Sequence, residues 1–127
     1  MQKSWPSAAP AYDPTFRSNL DGAFFFIRAV APFLRAQEYG KIVNIASGTF
    51  FKGTPFISNY VASKGGVVGI TRSLAREGGE FGITVNCIAP GLTNSDEEMP
   101  DAHWEARVPE RAIKRVVVPE DLVGAAI

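Results

Sequence analysis

Two short runs rich in β-branched residues, separated by a long helical segment, constrain the fold of this chain most strongly. The runs are GKIVNIAS at 40–47 and ITVNCIAP at 83–90, and each resembles a strand that is buried on both faces of a parallel sheet. Between them, at about 58–77, apolar residues recur at helical spacing, and this segment ends in GGEFG. The alternation of strand and helix predicts an α/β architecture.

Helical periodicity also predicts a first helix at about 14–37. Asp13 is a candidate cap, Pro14 suits the first turn, and Pro32 predicts a bend. After residue 90 the sequence is polar and interrupted by prolines, which predicts a flap with short helices, and PEDLVGAAI at the end begins another helix. We expect residues 1–127 to form one domain.

Composition excludes several classes of function. The chain has 127 residues, 46% of them hydrophobic, and its 13 basic residues balance 13 acidic ones, so no nucleic-acid partner is expected. The most apolar stretch, at 22–36, contains Arg28 and Arg35 and is too short and too charged for a membrane span. The N-terminal sequence lacks the pattern of a signal peptide and Cys87 is the only cysteine, which predicts a cytoplasmic protein.

Tyr60 and Lys64 are the first candidate catalytic residues. They lie four positions apart in the predicted second helix and therefore share one face. An ordinary tyrosine has a pKa of about 10, and a neighbouring cation favours the phenolate, so the pair is a candidate general acid/base. Alternatively, it is a pair on the surface of a helix. Ser47 ends the first predicted strand, at the sheet edge where such folds bind ligands, and its hydroxyl suits a substrate carbonyl; alternatively, it is a turn residue.

Four motifs in order carry a family resemblance. They are SNLDGAFF at 18–25, NIAS at 44–47, YVASK at 60–64 and GITVNCIAPG at 82–91. Together they resemble the catalytic half of the short-chain dehydrogenase/reductase family, over about residues 16–127. The resemblance implies part of a Rossmann-like, doubly wound parallel sheet. No glycine-rich dinucleotide motif is present, and the resemblance implies that family members continue beyond PEDLVGAAI, so we expect a fold truncated at both ends.

The resemblance also implies residue roles. Tyr60 is the proton donor or acceptor at the substrate oxygen, and Lys64 activates it and holds the ribose hydroxyls of the nicotinamide cofactor. Ser47 polarises the carbonyl. Asn19 lies at a bend in the first helix and holds a water that links the lysine to solvent. The implied activity is interconversion of an alcohol and a carbonyl by hydride transfer, with Asn19, Ser47, Tyr60 and Lys64 as the catalytic set.

The implied cofactor is NAD or NADP. By resemblance its contacts are Tyr60, Lys64, Pro90, Gly91 and Thr93. With the phosphate-binding half absent, the isolated chain is expected to be inactive, as a fragment of an oxidoreductase. The alternative is a non-catalytic remnant that serves only as an interaction or oligomerisation module. No metal site is expected, since the single histidine, His103, lacks partner ligands.

The substrate is expected to be a small apolar or aromatic alcohol or carbonyl. Aromatic and apolar residues between Ser47 and Tyr60 are expected to line the entrance of the substrate site: Phe50, Phe51, Pro55, Phe56 and Ile57. The segment resembles members of the family that act as pyridoxal or phenylethanol dehydrogenases, and more distantly the 3-oxoacyl carrier-protein reductases.

Two glycines in the second helix, Gly65 and Gly66, each cost about 1 kcal/mol relative to alanine, which predicts a close approach to the backbone there. The resemblance implies that this helix and the first one join copies of the chain in a homo-oligomer. Asn44 is expected to be a structural polar residue bonded to the backbone, and Cys87 a small core residue.

Overall fold

The computed structural model describes residues 12–96 and 98–127. The N-terminal stretch that lacks a signal-peptide pattern, 1–11, lies outside the described residues. The chain divides into two compact units, Met1–Ala89 and Pro90–Ile127. Within the described ranges, no helix combines the length and the apolar character needed to cross a membrane.

The first unit opens with a helical run interrupted by a π-helical turn. Helix α1 spans Tyr12–Phe16, the π-helical turn spans Arg17–Asp21, and helix α2 spans Gly22–Ala36. The turn is closed by the backbone N–H of Gly22, which donates to the carbonyl of Arg17. The predicted helix at 14–37 is confirmed, but Asp13 lies inside α1 and is not its cap. The position at which a bend was expected, Asn19, falls within the π-helical turn.

Two parallel strands form the sheet of the described residues. Strand β1 is Gly40–Ile45 and strand β2 is Ile83–Ile88, with Gly40 opposite Ile83 and Ile45 opposite Ile88. One further backbone bond, from Ala46 N–H to the Ile88 carbonyl at 2.8 Å, extends the pairing. Both strands end two residues before their predicted ends, because the chain turns away after this bond. The predicted α/β class with a parallel sheet is confirmed.

A short helix that was not predicted from the sequence follows β1. Helix α3 spans Gly48–Lys52. Ser47 is its N-cap, and Gly53 ends it with φ of 62°, a left-handed conformation that glycine adopts without a steric cost. A cap and a left-handed glycine six positions apart, at Ser47 and Gly53, are enough to define one turn of helix.

The long helix α4, Ser58–Gly78, packs mainly against β2 and agrees with the predicted helix at 58–77. A 3₁₀ turn, Gly79–Phe81, leads from it into β2. The core of this unit lies between α4 and the sheet and includes Ile27, Ala46, Val67, Ile83 and Val85, which are all buried.

Asn44 provides a polar link inside this core. Its Nδ2 donates to the hydroxyl of Thr71 at 2.9 Å, and Thr71 Oγ1 donates to the Val67 carbonyl at 2.7 Å. The predicted structural role is confirmed, but the predicted backbone partner is wrong. The hydroxyl proton of Thr71 is already donated to the Val67 carbonyl within α4, so the Thr71 oxygen can accept the bond from Asn44.

The second unit contains short helices: α5, Asp101–Glu105, a 3₁₀ turn, Val108–Glu110, and α6, Glu120–Ala126. Thr93 pairs with Val117 in an isolated parallel bridge, in which Asn94 N–H donates to the Val117 carbonyl at 2.8 Å. The short helices predicted after residue 90 and the predicted final helix are confirmed.

Candidate active site

Ser47 lies immediately beyond the carboxyl end of β1. It is 7% exposed and has an extended backbone, with φ of −158° and ψ of 143°. Its Oγ accepts two hydrogen bonds from Thr49, one from the backbone N–H at 3.3 Å and one from Oγ1 at 2.9 Å. The hydroxyl is therefore held in place at the predicted edge of the sheet.

Lys64 joins α4 to the same edge. Its Nζ donates to the carbonyl of Ile45, the last residue of β1, at 2.9 Å. The same Nζ lies 5.8 Å from the centre of the Tyr60 ring, one helical turn earlier on α4. The structure thus brings Tyr60 and Lys64 to the end of the strand that leads into Ser47. A lysine ammonium has three N–H donors, and two remain after the bond to Ile45.

Asn19 reaches the site through Ser63, which sequence reasoning missed. Asn19 Nδ2 donates to Ser63 Oγ at 3.0 Å, and Ser63 Oγ donates to the Tyr60 carbonyl at 2.8 Å. Because a carbonyl can only accept, the single proton of Ser63 is committed to Tyr60 and its oxygen must accept from Asn19. The Asn19 amide therefore keeps its Oδ1 as an acceptor for another group.

Ser63 is fully buried, with 0% exposure. A signal for its role was present in the sequence, since a serine inside a helix commonly bonds to a backbone carbonyl three or four residues earlier. A second bond one turn away, from Asn59 Nδ2 to Thr15 Oγ1 at 3.0 Å, also joins α4 to α1. These two bonds hold α1 and the π-helical turn, which carries Asn19, against the helix that carries Tyr60.

The paired glycines of α4 allow close packing around the site. A Cβ at Gly65 would lie 2.7 Å from the ring of Phe50 on α3, and a Cβ at Gly66 would lie 2.8 Å from the side chain of Leu20 in the π-helical turn. The predicted close approach is confirmed. At Gly69 a Cβ would meet nothing within 4 Å, so packing does not require a glycine at that position.

Aromatic side chains follow Ser47 and remain accessible. Phe50 and Phe51 pack edge to face with their ring centres 5.0 Å apart, and both are exposed, as is Phe56. Phe56 also has a positive φ of 68°, which is uncommon for a residue with a side chain of this size. The segment between α3 and α4 thus presents apolar surface beside the candidate catalytic residues.

The remaining predicted cofactor contacts belong to the second unit. Pro90, Gly91 and Thr93 lie in the stretch that opens it, where Thr93 Oγ1 donates to the Gly91 carbonyl at 3.2 Å. A Cβ at Gly91 would meet nothing within 4 Å, so the space beside its backbone is open. No group of three or more histidine, cysteine, aspartate or glutamate side chains suited to a metal occurs among residues 12–96 and 98–127.

His103 and Cys87 are the single histidine and the single cysteine of the chain. His103 is exposed, with its ring edge-on to that of Trp104 at 4.7 Å between ring centres. Cys87 is a free, half-buried thiol in β2. Cys87 is therefore less enclosed than the core position that was predicted for it.

The curated relatives that are similar to the chain in sequence include a dehydrogenase subunit and a reductase. One is a (2S)-[(R)-hydroxy(phenyl)methyl]succinyl-CoA dehydrogenase subunit, BbsD, of Thauera aromatica, 36% identical over 121 residues, or 91% of this chain and 47% of the relative. Another is the 3-oxoacyl-[acyl-carrier-protein] reductase FabG of Staphylococcus aureus, 44% identical over 91 residues, or 72% of this chain and 36% of the relative. The chain spans about half the length, or less, of these curated relatives.

Solved structures with the same fold include dehydrogenases and reductases. A gluconate 5-dehydrogenase from Burkholderia cenocepacia, crystallised with NADP and tartrate, superposes with a TM-score of 0.86 at 29% identity and covers 95% of this chain and 49% of that one. A 3-oxoacyl-[acyl-carrier protein] reductase from Brucella melitensis gives a TM-score of 0.87, also at 29% identity, over 98% and 48% of the two chains. The two strands and their helices correspond to part of this Rossmann-like fold.

The family model for short chain dehydrogenases matches residues 6–106. This range includes the strands β1 and β2, the helix α4 and all four side chains of the candidate catalytic set. The chain therefore belongs to the short-chain dehydrogenase family.

Proposed function

We propose that this chain carries the catalytic residues of an NAD(P)-dependent oxidoreductase that interconverts an alcohol and a carbonyl. The observation that carries the proposal is the hydrogen bond from Lys64 Nζ to the Ile45 carbonyl at 2.9 Å. This bond holds the ammonium at the end of β1, two residues before Ser47 and one helical turn from Tyr60. A phenol, a cation and a hydroxyl at one sheet edge form a suitable group for proton transfer to a carbonyl oxygen.

In this proposal Tyr60 exchanges the proton with the substrate oxygen. Lys64 places its positive charge near Tyr60, with Nζ 5.8 Å from the centre of the ring, where it opposes the negative charge that develops at the site. Ser47 donates a hydrogen bond to the same oxygen, which stabilises the negative charge that develops on it during reduction. Asn19 holds a water with its free Oδ1, so that a proton can reach the lysine from solvent.

The residues present fit a nicotinamide cofactor. Lys64 retains two N–H donors for ribose hydroxyls after its bond to the Ile45 carbonyl. We assign the cofactor contacts to Tyr60, Lys64, Pro90, Gly91 and Thr93, with either NAD or NADP as the ligand. When bound, the nicotinamide supplies or accepts the hydride. The NADP in the Burkholderia cenocepacia structure supports this assignment.

For the substrate we propose a small apolar or aromatic alcohol or carbonyl. The exposed rings of Phe50, Phe51 and Phe56 favour an apolar molecule, and the Thauera aromatica relative acts on a compound with a phenyl group beside its hydroxyl. A second candidate is a 3-oxoacyl carrier-protein substrate, which the 44% identity to a Staphylococcus aureus reductase favours.

We also propose that the protein is a cytoplasmic homo-oligomer. Helix α2 exposes four phenylalanines, Phe24, Phe25, Phe26 and Phe33, the last of them by 74%. Such a surface is costly in water and is typical of an interface. Light scattering that shows only monomer at micromolar concentration would contradict the proposed assembly.

The activity is tested on the full-length gene product with NAD and NADP and a panel of aryl alcohols, aryl ketones and 3-oxoacyl thioesters. We expect turnover by the natural sequence and a loss of at least about 10²- to 10⁴-fold for Tyr60→Phe. Tyr39→Phe is the matched control, because Tyr39 is exposed at the start of β1. Equal turnover in Tyr60→Phe and the natural sequence would overturn the assignment.

A further inference from the structure

We propose that Thr49 is a positioning residue that makes Ser47 a hydrogen-bond donor to the substrate oxygen. The inference rests on the proposed function and deepens it, because it concerns which of two hydroxyls reaches the substrate and in what direction its proton points. It starts from the two bonds that Ser47 accepts from Thr49.

In this geometry Ser47 can form a further hydrogen bond only as the donor. A serine hydroxyl has one proton and two acceptor positions. Both acceptor positions of Ser47 Oγ are occupied by Thr49, by its backbone N–H at 3.3 Å and its Oγ1 at 2.9 Å. A third partner can therefore bind Ser47 only by accepting its proton.

A substrate carbonyl oxygen is such a partner, because it can only accept. The three groups then form a chain in which Thr49 O–H donates to Ser47 and Ser47 O–H donates to the carbonyl. Each bond in such a chain polarises the next, so Ser47 becomes a stronger donor than an isolated serine. Without the Thr49 hydroxyl, the Ser47 proton can turn toward other acceptors and the donor is weaker.

The local fold holds this arrangement in place. Ser47 is the N-cap of α3 and Thr49 lies in its first turn, so the backbone bond between them is part of the helix cap. Thr49 is half-buried and β-branched, which restricts its first side-chain torsion. The helix cap uses the backbone N–H of Thr49 and not its hydroxyl. The hydroxyl can therefore be removed while the cap is kept.

The test compares Thr49→Val, which keeps the shape and the backbone N–H but removes the hydroxyl, with Thr49→Ser, which keeps the hydroxyl. Both are made in the full-length protein. We expect Thr49→Val to lower kcat/KM by about tenfold, less than the 10²–10³-fold loss that follows removal of an oxyanion donor itself. We expect Thr49→Ser to stay within about twofold and cofactor KM to be unchanged in both.

A second readout separates positioning from mere stability. Across para-substituted aryl ketones, the dependence of log(kcat/KM) on the substituent should change in Thr49→Val, because a weaker donor responds differently to the charge on the carbonyl oxygen. The matched control is Thr54→Val, since Thr54 lies nearby without a side-chain bond to Ser47. It should leave both the rate and the dependence unchanged.

The outcomes separate the two proposals. If the natural sequence is active, Tyr60→Phe is inactive, and Thr49→Val matches the natural sequence in rate and substituent dependence, the role of Thr49 is overturned and the proposed function stands. A loss in Thr49→Val that Thr49→Ser shares to the same extent also overturns it. If the natural sequence turns over no member of the substrate panel, the proposed function fails, and the role of Thr49 fails with it.

Discussion

The side-chain hydrogen bonds of the first unit and the ion pairs of the second differ in range and in burial. In the first unit, the bonds Asn19–Ser63 and Asn44–Thr71 join residues 44 and 27 positions apart, and each involves a buried side chain. In the second unit, the ion pairs Arg107–Glu110 and Arg115–Asp121 join residues three and six positions apart at the surface.

This difference indicates which unit can hold a catalytic group in a fixed geometry. A catalytic group must be held in one geometry, and neutral hydrogen bonds shielded from water between distant segments do this through the whole fold. Exposed ion pairs contribute little and are screened by salt. We therefore expect the first unit to be sensitive to single substitutions and the second to tolerate them.

The largest expected contrast is between two lysines that make the same type of bond. Lys64 donates to the Ile45 carbonyl and Lys114 donates to the Pro109 carbonyl, both at 2.9 Å. In the full-length protein, Lys64→Met should lower kcat/KM by at least about 10²-fold and weaken cofactor binding, because it removes both the charge beside Tyr60 and the proposed ribose contact.

Lys114→Met is the matched variant in the second unit and should stay within about twofold of the natural sequence in turnover. Steady-state kinetics and cofactor titration measure both. Equal losses of activity in the two variants, or an unchanged cofactor affinity in Lys64→Met, would contradict the expected difference between the two lysines.

The next contrast concerns two asparagines on neighbouring strands. Asn44→Ala should lower the free energy of unfolding by about 1–3 kcal/mol, because it removes a buried partner of Thr71 and leaves a cavity. Asn86→Ala, at an exposed position on β2, should change it by less than about 0.5 kcal/mol. Urea denaturation measures both, and equal midpoints would show that the buried bond is not a source of stability.

The sequence predicted the elements better than the contacts. The strands and the helices at 14–37 and 58–77 were recognisable because their periodicity is local, and the class and family followed from the motifs around them. The partner of Asn44, the bond from Asn19 to Ser63 and the packing of Phe50 on Gly65 depend on residues brought together by the fold.

Helix α3 was missed for a different reason. Its single turn, Gly48–Lys52, is too short for periodicity to be visible, and it is defined by the cap at Ser47 and the left-handed Gly53. Proline and glycine around it favour a loop. The predicted site residues Asn19, Ser47, Tyr60 and Lys64 came from motifs, and their roles stay predictions until the variants are measured.

A smaller contrast is expected between two glycines on α4. Gly69→Ala should raise the free energy of unfolding by up to about 1 kcal/mol, because alanine favours a helix and its Cβ meets open space. Gly65→Ala should not show this gain, because its Cβ would lie 2.7 Å from the ring of Phe50, which must then move. Denaturation midpoints test this, and an equal gain at both positions would show that Phe50 is loosely held.

The smallest expected effect lies in the second unit and depends on pH. The hydrogen bond from Arg115, and then the N–H of Val118, lower the pKa of Asp121 from 3.8 to about 2. The stabilisation that ionised Asp121 gives to the folded state is therefore fully present above about pH 4 and is lost as the pH falls toward 2. Because the pair is exposed, the effect should be confined to the residues around it.

Nuclear magnetic resonance can follow this titration through the amide of Val118, which donates to Asp121 Oδ2 at 2.9 Å. We expect its signal to move between about pH 4 and 2 and to stay constant in Asp121→Asn. Asp101→Asn, on α5, should leave the movement intact. A Val118 signal that is constant in the natural sequence would show that the pair does not form in solution.

The π-helical turn at Arg17–Asp21 determines how α2, the helix that follows it, is rotated about its own axis. Gly22 N–H bonds to a carbonyl five residues earlier, at Arg17, whereas an α-helix bonds four residues back, and each residue of an α-helix turns the chain by about 100°. Deleting one residue between Asn19 and Gly22 would restore α-helical spacing and rotate all of α2 by about this angle relative to Asn19. The number of residues in the turn therefore determines in which direction the phenylalanines of α2 point, independently of their identity.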